Sequence, residues 1–178
     1  MEAKEIRALL VENELCNKYM KIWADDVSKE DIFSASLTGA GLEYVVKHDF
    51  ITPTFVMSEF AEYVNSRSVS LPDGRKGQMW VGIKDYVRLF AEADVIHIMG
   101  SVVVLNIPDW WVGEITLSRG SKVIIEVGKD SIIFIDLYDK SRATLVGSQA
   151  SEDNTVRVYC RDGECVSKLN YDNNIIIK

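Results

Sequence analysis

A serine recurs every ten residues in SKVIIEVGKDSIIFIDLYDKSRATLVG (121–147), and each opens a run whose alternate positions are apolar. Ser121 precedes Val123, Ile125 and Val127; Ser131 precedes Ile133, Ile135 and Leu137; Ser141 precedes Ala143 and Leu145. Ser101, with Val103 and Leu105, reads as an earlier copy. Asn154, with Val156, Val158 and Cys160, resumes the phase after an insertion at 147–153. A turn residue followed by about six residues of period two is a strand with one buried face. Two architectures satisfy this pattern. Stacked as a short solenoid or roll, two ten-residue units make one coil and the serines recur at its corners. Folded as an antiparallel meander, GKDS and YDKS become hairpin turns. The evenness of turn residue and strand phase favours the solenoid.

The N-terminal third follows a different period. Ile6, Leu9, Leu10, Leu15, Tyr19, Met20 and Trp23 recur at spacings of three to five, which predicts a helix from about residue 4 to 24. Ser28 with Asp31 three positions on is a start signal for a second helix, and TGAG (38–41) reads as its stop. A short third helix is expected through 42–47, and Thr52-Pro53 opens a fourth. NSRSVSLPDGRKGQ (65–78) reads as a linker, with LPDG a turn. The stretch KDYVRLFAEAD (84–94) fits helix or strand. The expected fold is therefore α+β. A helical part over 1–65 and a linker over 66–78 lead into a β-rich part over 79–178, and the two parts pack together.

The S-x-V-x-I rhythm, with Cys16…Tyr19…Trp23 and SKEDIF (28–33), resembles uncharacterised proteins of gut Bacteroidetes and their phages. The resemblance implies a helical head joined to a β-solenoid tail, and it implies no particular activity.

Charge and motifs exclude several function classes. Residues 1–78 carry 13 acids and 9 bases and the remainder 14 and 11, so neither half supplies the clustered cations that phosphate-backbone binding requires. No apolar stretch approaches the roughly 20 residues of a membrane span, and MEAKEIRALL reads as a cytosolic start. Phosphate-loop, dinucleotide and nucleophile-elbow motifs are missing. His48 and His97 lack zinc-ligand spacing, so no metal or cofactor is expected, and a Cys16–His48 pair has nothing local to activate it. Cys160 and Cys165 flank RDGE; a two-residue turn at Asp162-Gly163 would set them opposite each other on a hairpin. Asp130, Asp136, Asp139, Glu152, Asp153, Asp162 and Asp172 fall at turns, where capping and solvation account for them.

NIPDWWVGE (106–114) carries the candidate binding residues, Trp110 and Trp111. Neighbours on a strand point to opposite faces, so at most one of the pair belongs in the core. The other covers the helical head or meets a partner, a role in which tryptophan is enriched. The expected function is a non-catalytic intracellular interaction or structural protein, phage- or mobile-element-encoded, with a protein partner or a second copy as ligand. A carbohydrate-binding or carbohydrate-cleaving β protein and a self-assembling component are the alternatives.

Overall fold

The computed structural model describes residues 1–15, 26–147, 154–169 and 174–178. Helix α1 spans Ala3–Glu12 and begins with a reciprocal cap between Glu2 and Glu5. It stops well short of residue 24. Glu14 takes a positive φ of 62°, and the amides of Glu14 and Leu15 bond back to the carbonyls of Val11 and Leu10. This pair of bonds closes a helix C-terminus, and it buries Leu15 against the head. Tyr19, Met20 and Trp23 lie outside the described residues.

Helix α2, Lys29–Ser36, starts as expected: Ser28 Oγ accepts the Asp31 amide at 3.1 Å, and Asp31 returns the bond to the Ser28 amide at 3.0 Å. The TGAG reading is corrected. Gly39 and Gly41 lie inside helix α3, Gly39–Lys47, not at the end of α2. A Cβ on Gly41 would sit 2.0 Å from the Ala35 carbonyl oxygen, so this glycine serves the close crossing of α3 over α2. Helix α4, Pro53–Glu59, has Thr52 as N-cap and proline in its first turn.

The stretch read as a linker is instead tied into the structure. Strands β1 (Val69–Ser70) and β2 (Lys76–Val81) pair antiparallel across the LPDG turn, and Val69 and Leu71 are buried beneath the helices. The ambiguous segment supplies a strand, β3 (Val87–Phe90). Thereafter follow β4 (Val95–Met99), β5 (Val102–Asn106), β6 (Val112–Ser118), β7 (Lys122–Val127), β8 (Ile132–Leu137), β9 (Arg142–Gly147), β10 (Thr155–Cys160), β11 (Glu164–Ser167) and β12 (Asn174–Ile177). They alternate between two sheets. Sheet A runs β1-β2-β4-β6-β8-β10-β12 and sheet B runs β11-β9-β7-β5-β3, with every pair after the first parallel. Parallel pairing excludes the meander; the chain is a β-solenoid. Partners such as Val102 and Lys122, or Val112 and Ile132, stand one 20-residue coil apart.

The serines do structural work at the corners. Ser121 Oγ accepts the Ser101 amide at 3.2 Å, and Ser141 Oγ accepts the Ser121 amide at 3.1 Å. On the opposite corner Asn154 takes the serine's place, its Oδ1 accepting the Ser131 amide at 2.9 Å. All five side chains are fully buried. The turns leading to them use positive φ at Arg119, Asp130, Asp139 and Lys140. Each hydroxyl or amide thus replaces the backbone partner that a chain loses where it leaves one sheet for the other. Ser121→Ala should cost about 1–3 kcal/mol by leaving the Ser101 amide buried and unpaired. Urea denaturation measures it, and a loss under about 0.5 kcal/mol would remove the ladder from this account.

Sheet A is shared by two cores. On β2 and β4, Met79, Val81, Val95 and Met99 face the helices, whereas Trp80, Ile96 and Ile98 face the solenoid interior. Alternation along two strands therefore joins head and solenoid into one packed unit.

The hairpin expected at Asp162-Gly163 is not formed. β10 lies in sheet A and β11 in sheet B, so the turn is a coil corner and Cys160 and Cys165 carry free thiols. In-register pairing of β11 with β9 wins over local hairpin closure, helped by the Arg142–Glu164 contact at 3.1 Å. Burial, and then Cys160 nearby, push the Cys165 thiol up to about 12, which leaves it protonated and a poor nucleophile.

Candidate functional site

Trp110 and Trp111 stand in the turn between β5 and β6, ahead of the strand. Trp110 adopts a φ of 65°, anchors its amide to the Lys129 carbonyl at 2.8 Å, and leaves its side chain 73% exposed. Trp111 turns inward. Its indole N–H donates to the Ala93 carbonyl at 3.1 Å, and its ring packs on the solenoid core over Gly113, where a Cβ would meet it at 2.5 Å. Trp111 thus braces the solenoid itself and does not dock the helical head. The split of one indole in and one out arises from the turn, where strand alternation does not operate. Val112 and Ile132, register partners at the start of β6 and β8, are 56% and 41% exposed and extend the apolar surface along this corner.

A second surface opens where the helices stop covering sheet A. Outward positions on β6, β8 and β10 align in two rows across the strands: Glu114, Phe134 and Arg157, then Thr116, Asp136 and Tyr159. Tyr138 and Arg161 continue the floor at the corner, and Gly39, Leu42 and Glu43 of α3 form a wall, enclosing a groove of about 680 Å³. Glu114 bonds to Arg75 at 2.9 Å and Asp136 to Arg161 at 3.2 Å. The Arg157 guanidinium lies 5.8 Å from the Phe134 ring centre and that of Arg161 lies 5.4 Å from Tyr159. Burial, and then Asp136, raise the Tyr138 phenol above its ordinary range, which keeps a neutral hydroxyl at the groove.

The wall is held by Arg119. Its guanidinium donates to the carbonyls of Val45 and His48 at 2.9 Å each, to Ile51 at 3.3 Å and to Val46 at 3.4 Å, and meets Asp139 at 2.8 Å. These carbonyls close the C-terminal end of α3, where a cation is favoured by the helix dipole. The neighbouring His97, on β4 beneath the head, is fully buried with Nε2 2.8 Å from Ser118 Oγ. Its Nδ1 has no hydrogen-bond partner among the described residues. Burial, and then Arg119, lower its pKa to about 3, so the imidazole is neutral across the ordinary pH range.

The remaining candidates have local roles. Asp139 accepts the Arg119 amide at 3.0 Å, and His48 makes tilted ring contacts with Tyr44 and Phe50. Cys16, Glu152, Asp153 and Asp172 lie outside the described residues. Among the described residues no group of three or more His, Cys, Asp and Glu side chains could hold a metal ion, and no helix is long and apolar enough to cross a membrane. Reading the sequence missed both Arg119 and the groove. The available signal was the 20-residue recurrence of outward positions, 114 with 134 and 116 with 136. Comparison with known proteins found no matching family model, no matching curated protein and no matching solved structure.

Proposed function

We propose that this chain is a non-catalytic interaction protein of the cytoplasm that engages a protein partner through the Trp110 corner. One observation carries the reading: a tryptophan 73% exposed on a hydrogen-bonded turn of the solenoid, with Val112 and Ile132 also exposed where the neighbouring strands begin. Large exposed aromatics on fixed backbone lose little freedom on binding and dominate interface energetics. An origin in gut Bacteroidetes or their phages belongs to the same proposal and is supported by the sequence resemblance alone. Affinity capture from lysate of the source organism, beside Trp110→Ala, tests it. Partner affinity should fall at least about 30-fold, the equivalent of 2 kcal/mol at a hot spot, while thermal unfolding stays unchanged. The same proteins captured by both forms would leave Trp110 without a binding role.

Self-association is the second reading. Val87 is 46% exposed although its register partner Val103 is fully buried, and Tyr86 and Phe90 beside it are 56% and 55% exposed. Among the described residues the solenoid core is therefore open along β3, which forms an edge of sheet B of the kind that recruits another strand. Elution well above the 20.1 kDa monomer mass supports this reading, and monomeric elution at high concentration removes it.

A further inference from the structure

We propose that the groove between α3 and the outer face of sheet A is an oligosaccharide-binding site, separate from the Trp110 corner. Three carboxylates and one guanidinium line it, and two of the carboxylates are paired: Glu114 with Arg75 and Asp136 with Arg161, while Glu43 stands on the wall and Arg157 lies against the Phe134 ring. A polyphosphate gains nothing from such a surface, which lacks the excess cations needed to displace counterions. What the groove offers is a mixture of aromatic rings, carboxylate acceptors, guanidinium donors and the neutral Tyr138 hydroxyl. The complement is an uncharged ligand that bears donors and acceptors around its rim and apolar C–H groups on its faces. A pyranose has that constitution.

The solenoid adds a repeat. Neighbouring strands lie about 4.8 Å apart, close to the length of one sugar unit. A glycan lying across β6, β8 and β10 would therefore meet Glu114, Phe134 and Arg157 in one row, and Thr116, Asp136 and Tyr159 in the other. The ion pairs of Glu114 with Arg75 and of Asp136 with Arg161 hold the polar groups in place before a ligand arrives, which limits the ordering cost of binding. Both carboxylates engage an arginine, an arrangement suited to recognition by hydrogen bonds. At the wall, a Cβ on Gly39 would meet nothing within 4 Å, so open space extends to the first turn of α3.

Calorimetric titration of the whole chain with cellohexaose, maltohexaose, xylohexaose and chitohexaose at millimolar concentration tests the proposal. At least one sugar should bind. Tyr159→Ala should weaken it tenfold or more, and Gly39→Phe, which fills the groove from its open side, should weaken it to a similar extent. Trp110→Ala should leave the affinity unchanged. Thermal melts identify a variant that fails to fold; should Tyr159→Ala do so, Gly39→Phe carries the comparison. The proposal is overturned if none of the four sugars binds, if binding survives both groove variants, or if Trp110→Ala abolishes it. Any of these leaves the protein-partner reading to its own test.

Discussion

Replacing Arg119 with alanine is expected to lower stability by about 3–5 kcal/mol, the range for breaking a desolvated charge network. The side chain is 13% exposed, donates to four backbone carbonyls around the end of α3, and contacts Asp139. Truncation leaves those carbonyls and the Asp139 carboxylate facing each other with no cation between them. The junction between head and solenoid loosens with them. For a chain of this length the thermal midpoint should fall by about 10 °C. Arg119→Lys should recover only part of the loss, because one ammonium cannot reach the carbonyls that a planar guanidinium serves together. A loss below about 1 kcal/mol in chemical denaturation would show that packing of Met79, Val81, Val95 and Met99 alone holds the head.

Acid should destabilise the protein before its carboxylates titrate. His97 has a folded-state pKa of about 3, against 6.5 in an unfolded chain. Above 6.5 the imidazole is neutral in both states and contributes no pH dependence. Between 6.5 and 3 the unfolded state binds a proton that the folded state refuses, so stability falls as pH falls, by about 1.4 kcal/mol for each pH unit. The diagnostic window lies between pH 6.5 and 4.5, above the ordinary carboxylate range. His97→Gln keeps a partner for Ser118 Oγ and removes the titration, so its stability should be flat across that window. Equal slopes for the two proteins in urea denaturation at stepped pH would place the sensitivity elsewhere.

The first of these expectations concerns a residue that the sequence conceals. Arg119 sits between Ser118 and Gly120 and reads locally as a turn residue; its partners on the helical head are mainly backbone carbonyls about 70 positions away, which carry no sequence signature. The strands and corners were legible because burial on one face writes itself as alternation, and because Ser28, Thr52 and the recurring serines have local reasons to stand where they do. The direction of the pairing was less so, since alternation is the same in an antiparallel meander and a parallel solenoid. Local turn chemistry misled at Asp162-Gly163 and at TGAG, where register with β9 and the crossing of α2 by α3 decided the outcome. Of the candidate site, the exposure of one tryptophan was readable. The groove was not, because Phe134, Asp136 and Tyr159 become neighbours only when the coils are stacked in register.

The 20-residue coil has a consequence for how such a chain can change length. Between β5 and β9 every pair keeps the same offset, so one whole coil added there returns each side chain to its own column. Ten added residues would instead swap the two sheets from that point on. A coil gained after Asp139, at the corner that leads into β9, widens the platform beside α3 by one strand and leaves the Arg119 anchorage where it is. Reach and attachment are thus written in different segments, and the platform can be resized like a ruler cut at its marked divisions.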